Sequence, residues 1–179
     1  MRWSFAPVAV LAATAGSVHA VQYLTVEQAQ KLLFASAAEF TTGELLLTDA
    51  QRSAIAQASG VRVREARVRN WVARDAQGKT LGRIFIDEVT GKHDLITYAL
   101  GVAADGHVAG LEILDYRENY GGQIRDAAWR NQFRGKSAAD AFKIDADITN
   151  ISGATLSCTH VADGVRRLLK TYELVFKGV

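Results

Sequence analysis

Residues 81–114 read LGRIFIDEVTGKHDLITYALGVAADGHVAGLEIL, and this stretch decides the fold. Three apolar runs, Leu81 to Val89, Leu95 to Val102 and Val108 to Leu114, have the length and side-chain types of strands. In the first, Ile84 and Ile86 fall on one face and Phe85 on the other. Gly91-Lys92-His93-Asp94 separates the first two runs, and Ala104-Asp105-Gly106-His107 the last two. Asp-Gly is a strong hairpin signal. Connections this short cannot carry a crossover helix, so the runs pair antiparallel rather than in a doubly wound parallel sheet.

Upstream, Val61 and Val63, then Val68 and Val72 around Trp71, suggest further strand segments. Arg62, Arg64, Arg67 and Arg69 interleave with them as a solvated face. A meander of three or four strands is expected. Two capping boxes precede it, Thr25-Val26-Glu27-Gln28 opening a helix over 26–34 and Thr48-Asp49-Ala50-Gln51 another over 49–58. Gly60 suits the C-terminal cap of the second. Downstream, Asp126 is placed to cap a short helix over 127–133, with Trp129 and Phe133 four apart on one face. Val161, Val165, Leu168, Leu169, Tyr172, Val175 and Phe176 then repeat at helical spacing and predict a long amphipathic helix over about 157–176. Gly164 inside it implies close packing against a strand or a ligand. The expected class is α+β: an antiparallel meander with flanking helices and a long C-terminal helix.

The chain has 179 residues, enough for one domain with a real core. Residues 1–20 read as a secretory signal: Arg2 is the positive start, Trp3 to Val18 is mostly apolar and small, and Val18-His19-Ala20 offers a cleavage site. The division expected is a signal over 1–20 and a single domain over 21–179. Export makes the periplasm the expected compartment. A net charge of +2, with no clustered Lys or Arg, argues against nucleic acid as a partner. Cys158 is the only cysteine, which excludes an internal disulfide and a four-cysteine iron–sulfur site. Any electron-transfer chemistry must then come from an organic cofactor. Cys158 itself reads as a buried structural thiol.

Two stretches carry candidate chemistry. Asp147-Ile-Thr-Asn-Ile-Ser-Gly-Ala-Thr-Leu-Ser157 leads into the last helix. Ser152, Gly153, Ala154 and Thr155 put a small open turn and a hydroxyl at a helix N-terminus, beside the N–H groups of Leu156 and Ser157, where a phosphate is favoured. The same residues also suit an ordinary helix entry with Thr155 or Ser157 as its cap. The second stretch is Asp115-Tyr-Arg-Glu-Asn-Tyr-Gly-Gly-Gln-Ile124, where Gly121 and Gly122 allow positive φ and a close approach of a flat ligand to the main chain. A plain loop is the competing reading. The 91–94 turn likewise reads either as a polar connection or as a loop bringing Lys92 or His93 to an anionic group.

Ile151 to Ser157 resembles the flavinylation motif of the FMN-binding domain family, which includes the flavin-carrying subunits of the sodium-translocating NADH:quinone reductase and of Rnf-type complexes. Glu118 to Ile124, followed by Trp129 and Gln132 to Lys136, resembles the family's second shared segment. The resemblance covers roughly residues 80–170. It implies FMN joined by a phosphoester to Thr155, placed there by a flavin transferase that uses FAD as donor. It implies Glu118, Gly121 and Gly122 beside the isoalloxazine, with Tyr120 able to stack on it. It also implies an electron carrier working with a membrane-bound oxidoreductase, rather than a catalyst in its own right. The alternative is an exported module that binds FMN or another small anion non-covalently, without redox function. The chain departs from the family at two points: Thr149 stands where an acid is usual six residues before the threonine, with Asp147 as its nearest substitute, and Asn119-Tyr120 stands where Thr-Pro is usual.

Overall fold

The computed structural model describes residues 23–177, so the expected signal over 1–20 lies outside the described residues. Both capping boxes form. Thr25 and Gln28 exchange side-chain and backbone hydrogen bonds at the start of α1 (Val26–Leu33), and Thr48 and Gln51 do the same for α2 (Asp49–Ser59). Gly60 closes α2 in the left-handed conformation expected of it.

The sheet has five strands in the order β1 (Glu39–Leu46), β2 (Arg67–Arg74), β3 (Thr80–Thr90), β4 (Leu95–Ala103) and β5 (Val108–Tyr116), all antiparallel. The meander is therefore as expected, with one strand more than the sequence suggested. The extra strand is β1, an edge strand with no buried side chain along its length. Val61 and Val63 are not in a strand; Val63 instead packs with Leu47 and Ile55 beneath α2. The 103–107 turn forms with Gly106 at φ +94° and Asp105 accepting from the His107 N–H.

Both faces of the sheet are covered, which explains the near-continuous apolar run of β4. Ile96, Tyr98, Leu100 and Val102 face the helix α4 (Thr155–Thr171), against Val161, Val165, Leu168 and Leu169. Ala99, on the opposite face, packs with Ala73, Ile84, Ile86 and Leu114 against Ala29 and Leu33 of α1. The last helix thus starts two residues before the expected position, and a π-turn over Tyr172–Phe176 carries it to the expected end. Gly164 lies against the sheet: a side chain there would meet the Tyr98 hydroxyl, Val89 and Asp87. Under it Asp87 accepts from Tyr98 at 2.5 Å and from Arg167 at 2.7 Å, a buried knot that fixes α4 on the sheet.

Candidate functional site

β5 ends at Tyr116, and the chain then turns through Gly121 (φ +80°) into a 3-10 turn over Gly122–Arg125 and the short helix α3 (Ala127–Arg130). Asp126 precedes α3 but makes no capping hydrogen bond, contrary to the expected cap, and the helix gives way after one turn to a 3-10 turn over Asn131–Phe133. Packing holds it instead. Trp129 and Phe133 meet edge to face at 5.1 Å, and Phe133 stacks on Phe142 at 6.2 Å. Trp129 and Gln132 then reach the motif stretch: Nε1 of Trp129 donates to the Thr149 carbonyl at 2.9 Å, and Oε1 of Gln132 accepts from the Thr149 N–H at 2.7 Å.

From that clamp the chain makes a tight turn closed by Ala154 N–H to Ile151 carbonyl at 2.9 Å, with Gly153 at φ +80°. A positive φ at the third residue of such a turn is what glycine supplies. Ala154 is the N-cap of α4 and has no side-chain acceptor to offer, so neither Thr155 nor Ser157 acts as the cap. Thr155 is the first helical residue and is exposed. Its Oγ1 accepts from Nδ2 of Asn150 at 3.0 Å. Leu156 is 48% exposed, whereas Ser157 is buried, its hydroxyl 3.4 Å from the phenol of Tyr116.

The turn abuts the second segment and the 91–94 turn around a cavity of about 310 Å³, lined by Lys92, His93, Glu118, Asn119, Tyr120, Gly153, Ala154, Thr155, Leu156 and Ser157. Larger recesses of about 780 and 590 Å³ flank α4 further along, but neither holds the motif residues. Glu118 draws the 91–94 turn in: its Oε1 accepts from the N–H groups of His93 at 2.6 Å and Asp94 at 3.1 Å. Partial burial opposes its charge, and the backbone N–H groups of His93, Asp94 and Lys92 outweigh that and hold the carboxyl below its usual range. Tyr120 is 77% exposed, an aromatic ring offered at the mouth. Behind it the Tyr116 phenol donates to the Tyr120 carbonyl at 2.5 Å, and burial pushes that phenol's pKa up, keeping it a donor.

Of the residues singled out in the sequence, Thr155, Gly153, Ala154, Leu156, Ser157, Glu118 and Tyr120 thus share one cavity, while Ser152 is exposed beside it. Gly121 and Gly122 do not line it. A side chain on Gly121 would fall on the Ala154 methyl group and 2.8 Å from the Tyr116 hydroxyl, so this glycine serves the docking of one segment on the other. Lys92 and His93, which the sequence left open as turn or ligand loop, belong to the lining. Asn150 sat inside the quoted motif with no task; its one sequence signal was an amide five residues before the threonine. Asp147 is taken up elsewhere, accepting from Lys136 at 3.0 Å and from the N–H groups of Phe142 and Lys143. Cys158 is fully buried, and that burial pushes its thiol up, as suits a structural role. Among the described residues no cluster of His, Cys, Asp and Glu could hold a metal, and no helix is long and apolar enough to cross a membrane.

An uncapped helix entrance, the Lys92 and His93 side chains and the exposed Tyr120 and Leu156 thus line one cavity. The FMN-binding domain family matches residues 91–170, a span that holds every cavity residue and bears out the resemblance read from the two motif stretches. Among solved structures the chain is similar to the crystal structure of Shewanella oneidensis NqrC, with 17% identity and a TM-score of 0.53 over 80% of this chain and 84% of that one. That likeness concerns the fold. A search of curated proteins finds no match.

Proposed function

We propose that the protein is an exported electron carrier whose FMN is joined to Thr155 through a phosphoester. The observation that carries this is Thr155, exposed as the first residue of a helix with no capping side chain and lining the same cavity as Lys92 and His93. The residues present fit the group. The N–H groups opening α4 are free to receive a phosphate, an arrangement worth about 0.3–1 kcal/mol at a surface and up to about 2 where partly buried. Lys92 adds positive charge and His93 a ring N–H, and Glu118 holds them in place through the backbone of their turn. Tyr120 and Leu156 offer exposed apolar surface to a flat ring. Bound there, the flavin supplies the redox chemistry, and the protein supplies position and access.

The covalent link suits a compartment in which a lost cofactor is not readily replaced. By the same reading, residues 1–20 direct export, a flavin transferase using FAD as donor makes the bond, and a membrane-bound oxidoreductase is the electron partner. Co-production with an exported flavin transferase tests the central claim. The denatured gel band should fluoresce as flavin, with a mass increase of FMN less one water, and T155A should lose both while remaining folded. Flavin that binds the native protein but leaves on denaturation would establish the non-covalent module instead.

A further inference from the structure

We infer that Asn150 is the residue that presents the Thr155 hydroxyl for flavin transfer. The inference rests on the phosphoester reading and names a positioning residue for it. The orientation of the Asn150 amide is decided by its two partners. Oδ1 accepts from the Ile151 N–H at 2.9 Å, and only the oxygen of the amide can do that. The NH2 end is therefore the end that faces Thr155, and it donates to Oγ1 at 3.0 Å. A hydroxyl that accepts there keeps its own proton free to be donated elsewhere. The contact fixes the side chain of Thr155 and leaves its O–H directed away from Asn150, available to a base on the incoming enzyme.

Position is inherited from further away. The backbone of Thr149 is held on both sides, its carbonyl by Trp129 and its N–H by Gln132. That clamp sets where the next residue, Asn150, begins, and the turn through Gly153 brings Thr155 back to it. The chain of contacts runs from α3 through Thr149 and Asn150 to the nucleophile. The amide is also neutral. A carboxylate in its place would accept the hydroxyl proton, turning it inward, and would set a negative charge beside an arriving phosphate.

In the transfer, the Thr155 O–H bond breaks and an Oγ–P bond forms at the flavin-side phosphorus of FAD. The P–O bond to the adenosine half breaks, AMP leaves with the bonding electron pair, and the hydroxyl proton passes to the transferase's base. Nothing is oxidised or reduced.

Two substitutions separate presentation from mere structure. N150D keeps the acceptor for the Ile151 N–H and reverses only the bond to Thr155; N150L removes both. Labelling by an exported transferase with FAD should slow at least about fivefold in each, the factor that corresponds to one hydrogen bond. Equal or faster labelling in N150D overturns the inference. So does wild-type labelling in N150L. A readout independent of flavin is the side-chain amide resonance of Asn150 in the unlabelled protein, which should move in T155V and stay in T149V; no movement in T155V overturns the contact itself. An unlabelled wild type with the resonance shift intact would overturn the phosphoester, and presentation with it, while the contact would stand. Labelled wild type with indifferent Asn150 variants would sink presentation alone.

Discussion

Replacing Gly121 by alanine should separate the two halves of the site more effectively than any other single methyl group. The backbone there has φ +80°, which costs an alanine about 1–2 kcal/mol. Its Cβ would also lie 2.1 Å from the Ala154 methyl group, 2.8 Å from the Tyr116 Oη and 3.4 Å from the Ala154 Cα. Carbon atoms in contact prefer about 3.5–4.0 Å, so the turn or the 118–122 loop must move. Overpacking of this kind adds about 1–3 kcal/mol. The sum is about 2–5 kcal/mol, and at about 2–4 °C for each kcal/mol in a domain of this size the midpoint should fall by roughly 4–20 °C. Two neighbours provide the controls. Gly153 has the same φ of +80° but open space around it, so G153A carries only the conformational cost of about 1–2 kcal/mol. Gly122 has no positive φ and would meet only the end of the Arg125 side chain at 3.0 Å, so G122A should lie within about 0.5 kcal/mol of wild type. Urea unfolding of the three variants should rank them G121A, G153A, G122A from least to most stable. G121A no less stable than G153A would refute the close docking of the second segment on the motif turn.

Three further outcomes are expected. D87N should cost about 3–5 kcal/mol in urea unfolding, because Arg167, with a side chain only 16% exposed, would lose its counter-charge, whereas Y98F should cost about 1.5–3 kcal/mol, the worth of a hydrogen bond to a charged group, since Asp87 keeps Arg167; a Y98F cost equal to or above that of D87N would contradict the charge argument. Glu118 and Asp147 both have carboxyls held below their usual range, so their contribution is present above about pH 4.5 and is lost as the pH falls through the depressed native values. Amide protection of His93 and Asp94 should accordingly weaken on acidification and should already be low at pH 7 in E118A, which has no acceptor; protection that survives in E118A would refute the clamp. T149D should raise the rate of flavin labelling about fivefold, the worth of one added hydrogen bond, because Asp147 is committed to Lys136 and the 142–143 backbone and is not free to stand in; an unchanged rate would show the acid to be dispensable here.

The fold was legible where local signals were strong. Capping boxes at Thr25 and Thr48, the Asp105-Gly106 turn and the 3.6-residue period of α4 are each set by contacts within a few residues, and each formed as read. Strand β1 was not legible because Glu39 to Leu46 lies at the sheet edge and buries no side chain, so no apolar alternation marks it. Gly43 within it looks like a breaker, yet it is required: a side chain there would meet Asn70, whose amide donates to the Gly43 carbonyl at 2.9 Å. Asp126 failed as a cap for the opposite reason. Its local pattern was right, but the packing of Trp129 and Phe133 determined the geometry of that turn.

The site shows where residue-by-residue reading stops. The motif marked Thr155, and the double glycine marked a second segment, but the natural inference from two glycines was a surface for a flat ring. The structure gives Gly121 to the joint between the segments and leaves the cavity wall to Lys92, His93, Tyr120 and Leu156. Their sequence shows what each could do but not where it stands, because its place is set by a neighbour: Glu118 brings in the turn of Lys92 and His93, Tyr116 holds the Tyr120 backbone, and Trp129 with Gln132 positions the residue before Asn150. Conversely, the motif turn leans on the second segment, since Trp129 and Gln132 hold the Thr149 backbone and no side chain caps α4. The second segment is then as necessary to Thr155 as the motif, without having to touch the cofactor at its glycines. A chain carrying the motif turn and α4 but lacking 117–133 should therefore keep its threonine and lose its labelling.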